Sequence, residues 1–107
     1  MAEQPNLDYI KEISGGNEEF EKKFLSIIQT EFPKEKTEYF ESLESDDLEE
    51  SAKVVHKIKH KLGILGLTDG YKLAIKFEED LKYGDTKLKE EFQQILQSVE
   101  EFILNMA

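Results

Sequence analysis

Apolar residues recur every three or four positions along nearly the whole chain and nowhere alternate with period two. That spacing lines one face of a helix and leaves no pattern for a half-buried strand. Four long stripes are legible. The first holds Phe20, Phe24, Ile27, Ile28, Phe32, Tyr39, Phe40 and Leu43, and the second Leu48, Ala52, Val55, Ile58, Leu62 and Leu65. The third holds Tyr71, Ala74, Ile75, Phe77 or Glu78, and Leu81, and the fourth runs from Leu88 through Phe92, Leu96 and Val99 to Met106. A short segment with Leu7, Ile10 and Ile13 precedes them. Long amphipathic segments joined by a few residues imply antiparallel neighbours. The expected fold is all-α, an up-down antiparallel four-helix bundle with a short extra N-terminal helix, in a single domain over residues 1–107.

Turn and cap residues fall between the stripes. Asn6 is placed to cap the lead helix, and Ser14-Gly15-Gly16 to break it. Asn17 caps the next, with Glu18, Glu19 and Glu21 in its first turn, where acids complement the helix dipole. Pro33 interrupts the first stripe, but the stripe resumes at Tyr39 in about the same phase, so one kinked helix is expected. Asp46 followed by Glu49 has capping-box spacing and opens the third helix, which should end at Gly66 as a left-handed cap. Thr68-Asp69-Gly70 starts the fourth helix and Tyr83-Gly84 closes it, and Asp85 or Thr86 caps the last.

Composition narrows the function. The chain has 107 residues, 24 acids and a formal charge of -10, and its 14 formal cations are all lysine. Such a surplus of acid disfavours nucleic acid as a main partner and repels anionic membranes. No apolar run is long enough for a membrane span, and the N-terminus lacks the pattern of a signal peptide. There is no cysteine, so a cytoplasmic location is the natural expectation. No further apolar stripe is left over, which favours a monomer.

Against this acidic background stands one cationic block. Residues 51–66 hold both histidines, four lysines and no acid. On the helix that Leu48 to Leu65 define, His56 falls about 120° from the centre of the apolar face, open to solvent. Lys53 and His60 lie one turn from it, Lys57 and Lys59 on adjacent turns, and Gly63 nearly in line two turns on. Two histidines four apart can share a metal ion. However, Lys57-Ile58-Lys59 between them supplies no carboxylate, and cations nearby oppose a divalent ion. No metal site and no cofactor are expected. No loop is long enough to suggest a cleft, and Gly63-Ile64-Leu65-Gly66 lacks the residues of a nucleotide loop, so autonomous kinase activity is not expected. The remaining chemistry makes His56 itself a nucleophile, with ammonium groups, Lys59 above all, neutralising phosphoryl oxygens. Gly63 costs about 1 kcal/mol relative to alanine inside a helix, which suggests close approach of something to the backbone there. A packing role for Gly63, and an inert solvated face for the lysines, are the plainer readings of the same residues.

This combination resembles the histidine-containing phosphotransfer (HPt) domains of multistep bacterial phosphorelays. Their pattern is a histidine, a lysine three later, a glycine four later and a glycine ten later, on the second long helix of a four-helix bundle. His56, Lys59 and Gly66 match, and Gly63 matches the small residue often found seven after the histidine. The likeness extends to the Gly16-Asn-Glu-Glu-Phe20 opening, Asp46-Asp47-Leu48, and Phe77-Glu-Glu-Asp-Leu81. Position 60 departs, carrying histidine where the family has glycine. That imidazole either crowds a phosphoryl group, donates a hydrogen bond to it, or is a second acceptor. His56 fits the acceptor role better, since the residue three after His60 is Gly63 and not a lysine.

The resemblance implies reversible transfer between a receiver-domain aspartate and His56 Nε2, with Lys59 stabilising the phosphate and Lys53, Lys57, His60 and Gly63 lining the site. The partners it implies are response-regulator receiver domains and a hybrid histidine kinase, with the metal supplied by the receiver. Ile64 and Tyr9 are candidates for the docking patch. The competing readings are a non-catalytic helical adaptor whose basic stripe grips an acidic partner and, ranked after it, a metal-responsive bundle stabilised by zinc through His60.

Overall fold

A computed structural model describes residues 3–106, which form five helices and, among the described residues, no strand. They are α1 (Asp8–Ser14), α2 (Glu18–Glu44), α3 (Leu48–Ile64), α4 (Thr68–Lys82) and α5 (Lys89–Asn105). The 3.6-residue period read from the stripes is therefore the period of the molecule. No helix among the described residues is long and apolar enough to cross a membrane.

The helices begin and end for local reasons. Asn17 Oδ1 accepts from Phe20 N at 3.1 Å, as its position ahead of the acidic first turn predicts. α2 then runs through Pro33 without a break. Proline has no hydrogen for the Gln29 carbonyl, so one rung of the helical ladder is missing there. The Thr37 hydroxyl donates to the Pro33 carbonyl at 3.0 Å. α3 is followed by Gly66 at φ 78°, the left-handed conformation expected of that glycine.

Four details differ from expectation. Asp47, not Asp46, caps α3: its Oδ1 accepts from Glu50 N at 3.1 Å, while Asp46 takes a left-handed φ of 58° to make the turn. α5 begins at Lys89 rather than at an Asp85 or Thr86 cap, because Asp85 Oδ1 accepts from Lys87 N and closes a turn of its own. Asn6 likewise accepts from Asp8 N two residues on, which puts Leu7 at the cap of α1. Ile75, placed on the inner face of α4, is 46% exposed; Gly70, Ala74, Phe77 and Leu81 form the buried line instead.

α3 packs against α2 on one side and α4 on the other, α5 touches α4 and α2, and α1 lies on α2. Tyr39, Phe77 and Phe92, one ring from each of α2, α4 and α5, meet with centroids 5.2–6.3 Å apart. Each such ring contributes about 1.5–3 kcal/mol by leaving water. Val55, Ile58 and Leu62 turn the apolar face of α3 fully into this core. The opposite face of α3 is thereby fixed toward solvent.

α2 and α3 are also held in register by charge. Lys61 Nζ lies 3.0 Å from Glu35 Oε2 and 2.9 Å from Glu31 Oε1. Burial alone would lower the Lys61 pKa, but the hydrogen bonds and charges of Glu31 and Glu35 outweigh it and raise the ammonium above its ordinary value. One turn from the start of α3, Ser51 meets Ser42 hydroxyl to hydroxyl at 2.6 Å, so small residues let the two helices approach.

Candidate functional site

His56 stands on the crest of α3 with its side chain 52% exposed. Its ring is held from one side. Nδ1 lies 3.1 Å from Glu78 Oε2 and 3.3 Å from Oε1. Glu78 comes from α4 and is brought there by the packing of Ala74, Phe77 and Leu81, which turns the next position toward α3. Lys59, one turn from His56, donates to Glu78 Oε1 at 3.0 Å and lies 3.2 Å from the same Nδ1. Two carboxylate oxygens at Nδ1 favour a hydrogen there, against the single Lys59 ammonium, which could donate only to a bare Nδ1. This arrangement leaves the lone pair on Nε2.

Glu78 is only 15% exposed in its side chain. Burial would push its carboxyl up, but the hydrogen bond and charge of Lys59, and then the contact with His56, hold it below the ordinary value. Glu78 is the site residue that sequence reading missed. The apolar pattern offers it only as an alternative to Phe77 on the inner face of α4. The signal that could have found it is an acid at the edge of an otherwise apolar stripe.

The predicted residues fall around this centre unequally. Lys53 is exposed, as is Lys57, whose Nζ lies 3.5 Å from Glu38 Oε1 on α2. Lys59 is pinned to Glu78 with its side chain only 12% exposed. His60 is exposed, and its Nε2 is 3.4 Å from His56 Nε2, the rings meeting edge to face. Gly63 lies beside the Tyr71 ring of α4, where a Cβ would come to 3.2 Å from Cδ2. That close approach is a packing reason for glycine at this position. Tyr9 is 48% exposed and Ile64 is half-buried.

A cleft also exists, although no loop is long enough to make one. An open groove of about 910 Å³ runs between α3 and the C-terminal part of α4, lined by Leu48, Ala52, Lys53, His56, Glu78 and Leu81. Packing of α3 on α4 forms it, with Gly84 of the turn after α4 at its edge. Among the described residues no group of three or more His, Asp or Glu side chains is gathered to hold a metal ion. The site thus offers the exposed His56 ring, oriented by the half-buried Glu78 carboxylate and bordered by cations and by the exposed His60 ring. Comparison with protein-family models, with curated proteins and with solved structures finds no match to this chain.

Proposed function

We propose that the chain is a phosphorelay intermediate of the HPt kind, accepting a phosphoryl group on His56 from a receiver-domain aspartate and passing it to another receiver. The observation that carries this reading is the half-exposed His56 ring, whose Nδ1 is held by Glu78 and whose Nε2 lies 3.4 Å from the exposed His60 ring. In transfer, Nε2 bonds to phosphorus as the bond from phosphorus to the aspartate oxygen breaks, and the aspartate leaves with the electron pair. Attack places positive charge on the imidazole ring, and Glu78 is positioned to stabilise it through Nδ1–H. Lys59 neutralises a phosphoryl oxygen only by turning partly away from Glu78. Lys53 and Lys57, both exposed, meet the incoming group first.

The same reading takes the helices as an up-down antiparallel four-helix bundle of α2 to α5 with α1 as the extra element, acting as a cytoplasmic monomer in a single domain. It makes the chain a phosphotransfer protein without kinase activity of its own. Its partners are receiver domains and a hybrid histidine kinase. The adaptor reading draws less support, because Lys57, Lys59 and Lys61 already face Glu38, Glu78, Glu31 and Glu35 of the chain itself.

The test is incubation with a phosphorylated receiver. Acid-labile, base-stable label on the wild type, lost in His56→Gln with helicity unchanged, is the expected result. Label retained in His56→Gln and lost in His60→Gln would move the acceptor to His60, and label in neither protein would leave the adaptor.

A further inference from the structure

We propose that His56 and His60 together form a two-imidazole chelate for a divalent transition-metal ion of the zinc class, water completing the coordination. The two Nε2 atoms are 3.4 Å apart while the ring centroids are 4.9 Å apart, so the ring nitrogens converge on one another. Two zinc–imidazole bonds of about 2.0–2.1 Å meeting at the tetrahedral angle hold their nitrogens about 3.3–3.4 Å apart. The pair already has that bite, on one turn of a helix whose opposite face is locked in the core.

Two further features belong to a metal ligand. The distal nitrogen of His56 contacts a carboxylate, Glu78, which fixes the tautomer and raises the basicity of Nε2 in the manner of carboxylate–histidine–zinc triads. The electrostatic objection drawn from the lysines also weakens. Lys59 is paired with Glu78 and Lys57 with Glu38, and Glu49 borders the same groove as His56. Lys59 Nζ stays 3.2 Å from His56 Nδ1, the nitrogen the ion does not use, and Lys53 lines the groove outside those pairs. Imidazole nitrogen selects zinc, copper, nickel or cobalt over magnesium and calcium, which require oxygen.

The chelate stands on geometry and does not need the phosphorelay reading. If His56 Nε2 is also the phosphoryl acceptor, the same lone pair serves one ligand at a time, and a bound ion shuts the acceptor off. Histidine at position 60, where the resembled family has glycine, is what makes this possible.

The experiment titrates zinc chloride into the full chain by calorimetry in a non-chelating buffer, with magnesium chloride as the control. Ring-nitrogen NMR of the zinc-loaded protein is recorded beside it. One zinc per chain is expected, with no magnesium heat and with shifts at Nε2 of both rings. His56→Gln and His60→Gln should each weaken binding at least tenfold, and Glu78→Gln by about tenfold. Unchanged affinity in His60→Gln, or zinc shifts confined to one ring or to Nδ1, would overturn the chelate. Because no phosphoryl donor is present, failure here is separate from failure of the phosphorelay reading.

Discussion

Replacing Lys61 with methionine is a demanding test of how α3 is held. The substitution keeps the length and removes the charge, leaving Glu35 with its side chain 11% exposed and its Oε1 sealed without a hydrogen-bond partner. Stranding one partner of a buried pair costs about 3–5 kcal/mol. Protonation caps that cost: neutralising a carboxyl of ordinary pKa about 4.3 takes about 3.7 kcal/mol at pH 7 and about 1 kcal/mol at pH 5. The expected deficit is therefore about 3 kcal/mol at pH 7, shrinking to about 1 kcal/mol at pH 5. Urea denaturation at both pH values reads it directly. Lys61→Met/Glu35→Leu removes both charges and should recover most of the loss at pH 7, since a buried pair and its apolar replacement are often near in stability. A deficit that is the same at both pH values, or a double variant no better than the single, would refute the reasoning.

Three other expectations follow from single contacts. Glu78 is held below the ordinary carboxyl value of 4.5, so the folded state prefers its carboxylate. The stabilisation it gives is present above that value and is lost as pH falls through the lower, folded one, so acid unfolding between pH 5 and 3 should be shallower in Glu78→Gln. Asp47→Ala removes the acceptor of Glu50 N and should cost about 1 kcal/mol in a thermal melt, whereas Asp46→Gly relieves a left-handed φ of 58° and should not destabilise. Gly66→Ala places a Cβ 2.5 Å from Asn6 Nδ2 at φ 78° and should cost at least about 1–2 kcal/mol, measured by urea unfolding.

The helices were legible because burial imposes one period on every residue of a stripe, and many residues vote for it. The caps were not, because each rests on one side chain. Asp46 and Asp47 are chemically alike, and only the path of the backbone decides which faces Glu50 N. Stripe edges failed for a related reason. Phe40 neighbours the buried Tyr39 but lies 100° round α2 from it, at the stripe's edge, and is left 37% exposed with its ring against Tyr39. Phe20 and Ile27, 43% and 49% exposed, lie in the first half of the 27-residue α2, which is ten residues longer than α3.

The site divides the same way. That His56 faces outward follows from α3 alone, so the sequence was sufficient. What surrounds its ring depends on α4, and there a reading confined to residues 51–66 saw only cations. Folding sets an acid of another helix against each of Lys57, Lys59 and Lys61, at 3.5, 3.0 and 2.9 Å. The cationic block is thus a complement to the acidic surplus, and the field at the imidazole is far closer to neutral than the local sequence implies. A phosphoryl group and a divalent ion carry opposite charge, so a strongly cationic ridge would admit the first and refuse the second. Under the two proposals, a ridge neutralised by Glu38 and Glu78 takes either at the same nitrogen. What separates the two proposals is then the ring at position 60, which adds a second donor for a metal but none of the charge a phosphate requires unless it is protonated.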